Sequence, residues 1–332
     1  MRTSEASCQT TNIQPSKWRE PLPHCRRSRE DQVRRASPAL DQRATLVYNT
    51  GENKSAQNTG ELTLRVVSLS DVLLHEQIEA RRVERLIAQL QADQLLKNPP
   101  IVAEHDGKYI LLDGATRVTA LKRIGCRDVV VQIVDYAAPG LVLETWNHLL
   151  LDVPQPEMFQ SLQQLSDLRI EHTTRRGAET ALARRTSIGA LVFADDQVFS
   201  LHALGDAGLA EQAQLLNRVV AAYEGRGEMY RVAHTDVERL LAEHGRLSAL
   251  VVFPRFCPDE IKHLALNGTK LPMGITRHII PGRALRINIP LDLLQRDAPL
   301  DAKSAWLDDW MKAKMRERRV RFYQEPVFLF DE

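Results

Sequence analysis

The stretch Tyr109-Ile-Leu-Leu-Asp113-Gly114-Ala115-Thr116-Arg117-Val-Thr-Ala120-Leu-Lys-Arg-Ile-Gly125 constrains the chain most. An apolar run, an Asp-Gly pair and helix-forming residues predict a short strand, a tight turn and a helix opening at Ala115 or Thr116. Gly125 suits the left-handed position that closes a helix. The turn leaves the first N–H groups of the helix unpaired, with the dipole behind them, which makes a place for an anion such as phosphate. Arg117 can add a planar fork of donors to that anion. Asp113, at the strand end, can orient a hydroxyl or hold a divalent metal. Read locally, the same Asp and Arg can equally be turn and surface residues of a common supersecondary unit.

The chain has 332 residues, enough for two domains and a real core. Apolar residues make up 43% and charged ones 26%, the balance of a soluble globular protein. A formal net charge of +1 gives no global case for nucleic acid or an acidic membrane surface. No apolar run reaches the length of a membrane span, and the four cysteines lie too far apart to suggest zinc or a disulfide framework. The cytoplasm is the expected compartment.

Residues 1–60, rich in Ser, Thr, Gln, Asn and Arg without apolar periodicity, are expected to be a disordered extension. A strand is expected from Leu62 to Leu69, with Ser70-Asp71 as a turn or helix cap, and a helix from Arg81 to Gln94 with Val83, Leu86, Ile87 and Leu90 on one face. Asp106-Gly107 predicts a hairpin between 101–104 and 108–112. A strand at 128–134 would complete this α/β unit. Beyond a linker at 137–141, Trp146-Asn147-His148 reads as a short helix. Helix signals follow at 159–168 and 209–223, strands at 187–201 and 247–253, and a further helix at 258–266. Strands at 275–280 and 283–289 would join at Pro281-Gly282, ahead of a helix at 302–318 and a strand at 327–330. The resulting domains are 61–140 and 141–332.

Asp113-Gly-x-x-Arg117, followed by Ala120 and a closing Ile124-Gly125, resembles the signature of the ParB/sulfiredoxin-like superfamily, whose segment binds nucleotide phosphates. Sulfiredoxin chemistry needs a cysteine on the turn, where this chain has Ala115 and Thr116. A partition CTPase would add a helix-turn-helix reading DNA, and the sequence after Leu141 offers none; the basic run Lys312–Arg321 is the nearest candidate. More of the chain is similar to the free L-serine kinase branch, most closely its siderophore-biosynthesis type. His75-Glu76, Asp113-Gly-x-x-Arg117, Thr145-Trp146-x-His148, Gly274-Ile-Thr-Arg277 and Gly282-Arg283-x-Leu285 occur in the right order.

That resemblance implies a mixed α/β fold: a ParB/sulfiredoxin-like N-terminal domain, a second mixed α/β domain, and an active site in the cleft between them. It implies transfer of a phosphoryl group from ATP or ADP, with Mg²⁺, to free L-serine, giving O-phospho-L-serine as a precursor of 2,3-diaminopropionate. Glu76 would be the base that accepts the serine proton, and Asp113 a second catalytic carboxylate that holds Mg²⁺. Gly114, Ala115, Thr116 and Arg117 would cradle the donor phosphates. Trp146, Thr276 and Arg277 would line the serine pocket. Thr276 and Arg277, if in a regular strand, point to opposite faces, so both can touch one ligand only where the backbone bends, as Gly274 would allow. Arg283 is an outside candidate. Thr116 stands where the family's turn usually carries a His, and Thr can hydrogen-bond a phosphate without supplying imidazolium charge. Either phosphate binding then leans on Arg117 and the metal, or this member has lost the activity. L-serine and a nucleotide are the expected partners, and a homodimer is compatible with the reading. The competing class is a ParB-like nucleotide-binding regulator acting on DNA or a protein partner without turnover.

Overall fold

The computed structural model describes residues 62–322, which lie in one compact unit. The expected N-terminal extension, 1–60, and the expected closing strand, 327–330, fall outside the described residues.

β1 (Thr63–Ser68) opens the first sheet. The Ser68 hydroxyl accepts from the Ser70 amide, so Ser68 caps a single 3-10 turn before β2 (Val72–Leu73). Helix α1 (Ala80–Asp93) buries Val83 and Leu90 and leads into the two-residue β3 (Leu95–Leu96). β4 (Ile101–His105) and β5 (Lys108–Asp113) form the expected hairpin. Asp106 and Gly107 have φ of +48° and +75°, the positive values that a two-residue turn matched to strand twist requires. α2 (Ala115–Arg123) and β6 (Asp128–Ile133) complete the unit, in the strand order β1-β6-β4-β5-β2.

The expected helix at Trp146–His148 is instead a junction between β7 (Val142–Thr145) and β8 (Asn147–Leu151). Every residue of β8 is buried, because the strand runs inside a sheet covered on both faces. A strand buried on both faces, here Asn147-His148 followed by three leucines, carries no alternation to tell strand from helix. α3 (Gln155–Gln163) starts four residues before the expected position, with Pro156 in its first turn, where a missing N–H costs nothing. Then follow β9 (Leu168–Thr173), α4 (Arg175–Ala183), β10 (Gly189–Val192), β11 (Val198–Ala203), α5 (Leu209–Ala221), β12 (Glu228–Val232), α6 (Val237–His244), β13 (Ala249–Val252) and α7 (Pro258–Leu266). The second sheet is antiparallel throughout, in the order β12-β8-β13-β10-β11-β9.

β14 (Thr276–Ile279) pairs with β7, residue for residue from Thr276↔Thr145 to Ile279↔Val142. The expected strand at 283–289 does not form as such: φ is +54° at Arg286 and +49° at Asn288, which breaks any ladder. Only β15 (Ile289–Pro290) pairs, with β3. α8 (Leu291–Gln295) and α9 (Leu300–Arg316) return to the first sheet, where Ile289, Leu294, Leu307 and Met311 share a core with Val66, Val102, Val118 and Val130. Within that core Lys303 is 1% exposed and donates to Asp128 at 2.7 Å. No helix among the described residues is long and apolar enough to cross a membrane.

Candidate active site

Glu76 lies in a short extended segment that bridges to Leu271: the Leu271 amide donates to the His75 carbonyl, and the Gln77 amide to the Leu271 carbonyl, both at 2.8 Å. This pairing brings the loop 272–275 over the Glu76 side chain. Its Oε2 accepts from the Gly274 amide at 2.8 Å, and its Oε1 accepts from the Thr276 amide at 2.7 Å and from the Thr276 hydroxyl. A carboxylate has about four lone-pair positions. Three are filled, and the open one is on Oε2. The carboxylate is therefore fixed in orientation with one face free.

His75 supports the arrangement from behind. Its Nε2 is 2.9 Å from Thr276 Oγ1. Since the Thr276 hydroxyl donates to Glu76, the arrangement suits a His75 that donates from Nε2, and the buried ring also lies beside the Leu111 backbone. Burial lowers the His75 pKa against the pull of Glu76, so the ring stays neutral. His278, two residues along β14, faces the same side, with its ring 5.7 Å from that of His75 and its Nε2 2.7 Å from the Tyr136 hydroxyl. Burial drives its pKa down to about 3, helped by the Arg283 charge and by the neighbouring His75 ring, beside which a second imidazolium is disfavoured.

Arg283 links this row to the turn after β5. Both its guanidinium and that of Arg117 meet Asp113 Oδ2 at 2.8 Å. Arg117 also donates to the carbonyls of Asn98 at 3.0 Å and Pro99 at 2.6 Å, so its fork is spent on holding the turn together. Gly114, at φ +102°, starts α2, and a Cβ there would come within 3.2 Å of the Arg117 guanidinium. The helix begins without a side-chain cap, which leaves the amides of Ala115, Thr116 and Arg117 as its open donors. Gln132 escaped the sequence reading. From β6, its buried amide donates to the Gly282 carbonyl and accepts from the Ala284 amide, clamping Arg283 on both sides.

Thr276 and Arg277 take opposite faces, because β14 stays regular through both. Thr276 meets Glu76. Arg277 stacks over Trp146 at 4.4 Å and lies 3.2 Å from Glu144, across the ribbon. The expected residues thus form three contacting groups: Glu76 with Thr276, Asp113 with Gly114 and Arg117, and Trp146 with Arg277. His148, beside Trp146, is a core residue: it is fully buried, bonded through Nδ1 to the Tyr223 hydroxyl at 2.8 Å, and held by burial at a pKa of about 3.

For Mg²⁺ the donor set is spare. No group of three metal-ligating side chains occurs among the described residues. Asp113 Oδ1 carries no hydrogen bond from them, while Oδ2 is occupied. One carboxylate oxygen suits Mg²⁺, which keeps most of its waters and completes its shell with donor phosphates. The residues present fit the ion.

No family model matches the chain. In sequence it is 28% identical over 270 residues to the ATP-dependent L-serine kinase SbnI of Staphylococcus aureus, a match spanning 81% of this chain and 97% of that protein. It is 23% identical over 236 residues to the ADP-dependent L-serine kinase SerK of Thermococcus kodakarensis, spanning 69% of this chain and 91% of the relative. Among solved structures, SbnI with a C-terminal truncation from Staphylococcus aureus matches with a TM-score of 0.61 at 26% identity, covering 76% of this chain and 97% of that one. A free serine kinase in complex with AMP shares the fold at a TM-score of 0.61 and 20% identity, over 73% and 98% of the two chains. By sequence and by mixed α/β fold, the chain is similar to L-serine kinases, the branch that its motifs resemble.

Proposed function

We propose that the protein is a nucleotide-dependent kinase that converts free L-serine to O-phospho-L-serine. The observation that carries the reading is the fixed Glu76 carboxylate. It has one open lone pair and is held by Thr276, with His75 and His278 behind it, while Asp113, paired with Arg283 and Arg117, stands at the mouth of an uncapped helix. The serine hydroxyl would sit at the open position on Glu76 Oε2. As the oxygen attacks the terminal phosphorus, the P–O bond to the nucleotide leaving group breaks and the hydroxyl proton passes to Glu76. The Gly274 and Thr276 donors hold the base in place for that transfer, so little reorganisation is needed at the moment of reaction. The open amides at the start of α2 would receive the donor phosphates. Arg117 and Arg283 orient Asp113 rather than reach for phosphate themselves. Asp113 Oδ1 would hold Mg²⁺, which when bound neutralises phosphate charge. The names of the relatives favour ATP as donor, with ADP the second choice. The product suits a pathway that makes 2,3-diaminopropionate for a siderophore, as in the branch resembled.

The test is phosphate transfer from ATP and from ADP to L-serine with Mg²⁺, read by ³¹P NMR, for the wild type and Glu76→Gln. Loss of a positioned general base lowers turnover by about 10²–10⁴-fold. No O-phospho-L-serine with either donor, from protein that still binds nucleotide, would sink the reading and favour a regulator.

A further inference from the structure

The residue that would recognise the rest of the amino acid is not among those the motifs supply. A zwitterionic acceptor needs a cation for its carboxylate, and Arg277 is turned to the far face, occupied by Glu144 and Trp146. On the near face stands Arg231. It lies on β12, an edge strand of the second sheet, opposite His148 in the register. Its guanidinium rests against Gly274, at φ +67°, where a Cβ would come within 2.1 Å of the guanidinium carbon. The backbone is thus left bare where the cation lies on it. The same glycine donates its N–H to Glu76 Oε2 at 2.8 Å, so Gly274 is a common floor for the carboxylate and the cation.

Arg231 is half-buried, and burial is the largest influence on it, disfavouring its charge. Glu76, Glu79 and Arg82 are the charged groups it feels. Glu79 is taken by Arg82 at 2.8 Å. Among the described residues, none places a carboxylate within ion-pair distance of Arg231, although partly buried cations are ordinarily paired. A cleft lined by Gln77, Ile78, Glu224, Met229 and Met273 opens at chain neighbours of Glu76, Arg231 and Gly274, none of which lines it.

We propose that Arg231 binds the α-carboxylate of the amino-acid acceptor, and so makes the site select a free amino acid over an alcohol that lacks the carboxylate. In L-serine the hydroxyl and carboxylate are close neighbours on one short chain, and one molecule can place the first at Glu76 and the second at Arg231. The inference rests on the kinase reading of the same site.

The experiment is steady-state kinetics with L-serine and L-serinamide for the wild type, Arg231→Gln and Arg231→Lys, with thermal melting to check that each variant folds. The wild type should prefer L-serine over L-serinamide by on the order of ten- to a hundred-fold in kcat/KM, the worth of a hydrogen bond to a charged group. In Arg231→Gln the KM for L-serine rises by a similar factor, the preference collapses, and the KM for the nucleotide stays within about twofold of the wild type, since the contact is to the acceptor alone. Arg231→Lys recovers part of the loss. A wild type that uses L-serinamide as well as L-serine overturns the proposal without any variant. So does a folded Arg231→Gln with unchanged serine KM and preference, and in both cases the kinase reading stands. A wild type that phosphorylates neither compound overturns the kinase reading itself, and this proposal with it.

Discussion

Lowering the pH from 7 to 5 should cost the fold about 4 kcal/mol through two histidines alone. His148 and His278 both have their pKa driven down to about 3, against 6.5 for an ordinary histidine, with burial the largest cause in each case. The charge of Arg231 adds to the shift at His148, and the charge of Arg283 and the nearby His75 ring add to that at His278. Below pH 6.5 the unfolded chain takes up a proton at each of these sites that the native protein refuses until about pH 3. The unfolded state binds more protons across that window, so stability is complete above it and falls as the pH falls. Between pH 7 and 5 the loss is about 2 kcal/mol for each ring. His75 is shifted the same way by burial and steepens the slope. Urea unfolding followed by circular dichroism at pH 7, 6 and 5 reads the slope directly. His148→Phe keeps an aromatic ring beside Phe253 and Tyr223 but cannot titrate. It leaves the Tyr223 hydroxyl without its partner, which shifts the curve as a whole, yet its slope should be shallower by about 1 kcal/mol per pH unit. Parallel wild-type and variant curves over this range would refute the reasoning.

Two further perturbations bear on the site and on the core. Gly274→Ala puts a side chain into a left-handed backbone and against the Arg231 guanidinium, so it should lose about 1–2 kcal/mol of stability. It should also lose most L-serine turnover while a fluorescent nucleotide still binds; undiminished turnover would show that the loop tolerates what the geometry forbids. Lys303→Met removes the cation from a pair in which Lys303 is 1% exposed and leaves the Asp128 carboxylate buried. A loss of about 3–5 kcal/mol is expected, and an unchanged melting temperature would contradict it.

Local chemistry explains what was legible in the chain. Asp106-Gly107 and the Asp113-Gly114 turn announce themselves because few residues accept positive φ, and α7 is bracketed by Pro258 and Gly268. Of the groups around Glu76 and Asp113, the sequence offered Glu76, Asp113 and Thr276 with roles, Arg283 as an outside candidate and His75 only as part of a motif. His75, His278 and Arg283 acquire their places from contacts between distant segments, His75 from Thr276, His278 from Tyr136 and Arg283 from Asp113. Gln132 and Arg231 were missed for a related reason. A glutamine in a run of valines reads as one polar residue in a strand, and β12 is too short and too exposed to be seen as a strand at all. The separation of Thr276 from Arg277 was legible in principle, since alternation in a strand demands it. Only the regular pairing of β14 with β7 decides that no bend reunites them.

The return of the C-terminal helices to the first sheet governs the order in which a growing chain can become active. The strands of that sheet emerge by residue 133, but the apolar face closed by Ile289, Leu294, Leu307 and Met311 stays open until nearly the last described helix is made. At about 5–20 residues per second, that wait lasts on the order of ten to forty seconds. Glu76 likewise lacks its three donors until Gly274 and Thr276 are synthesised. A nascent or prematurely ended chain therefore carries the Asp113-Gly114 turn without an oriented Glu76 carboxylate, exposes an unfinished core, and is a substrate for chaperones and proteases before its candidate site is assembled.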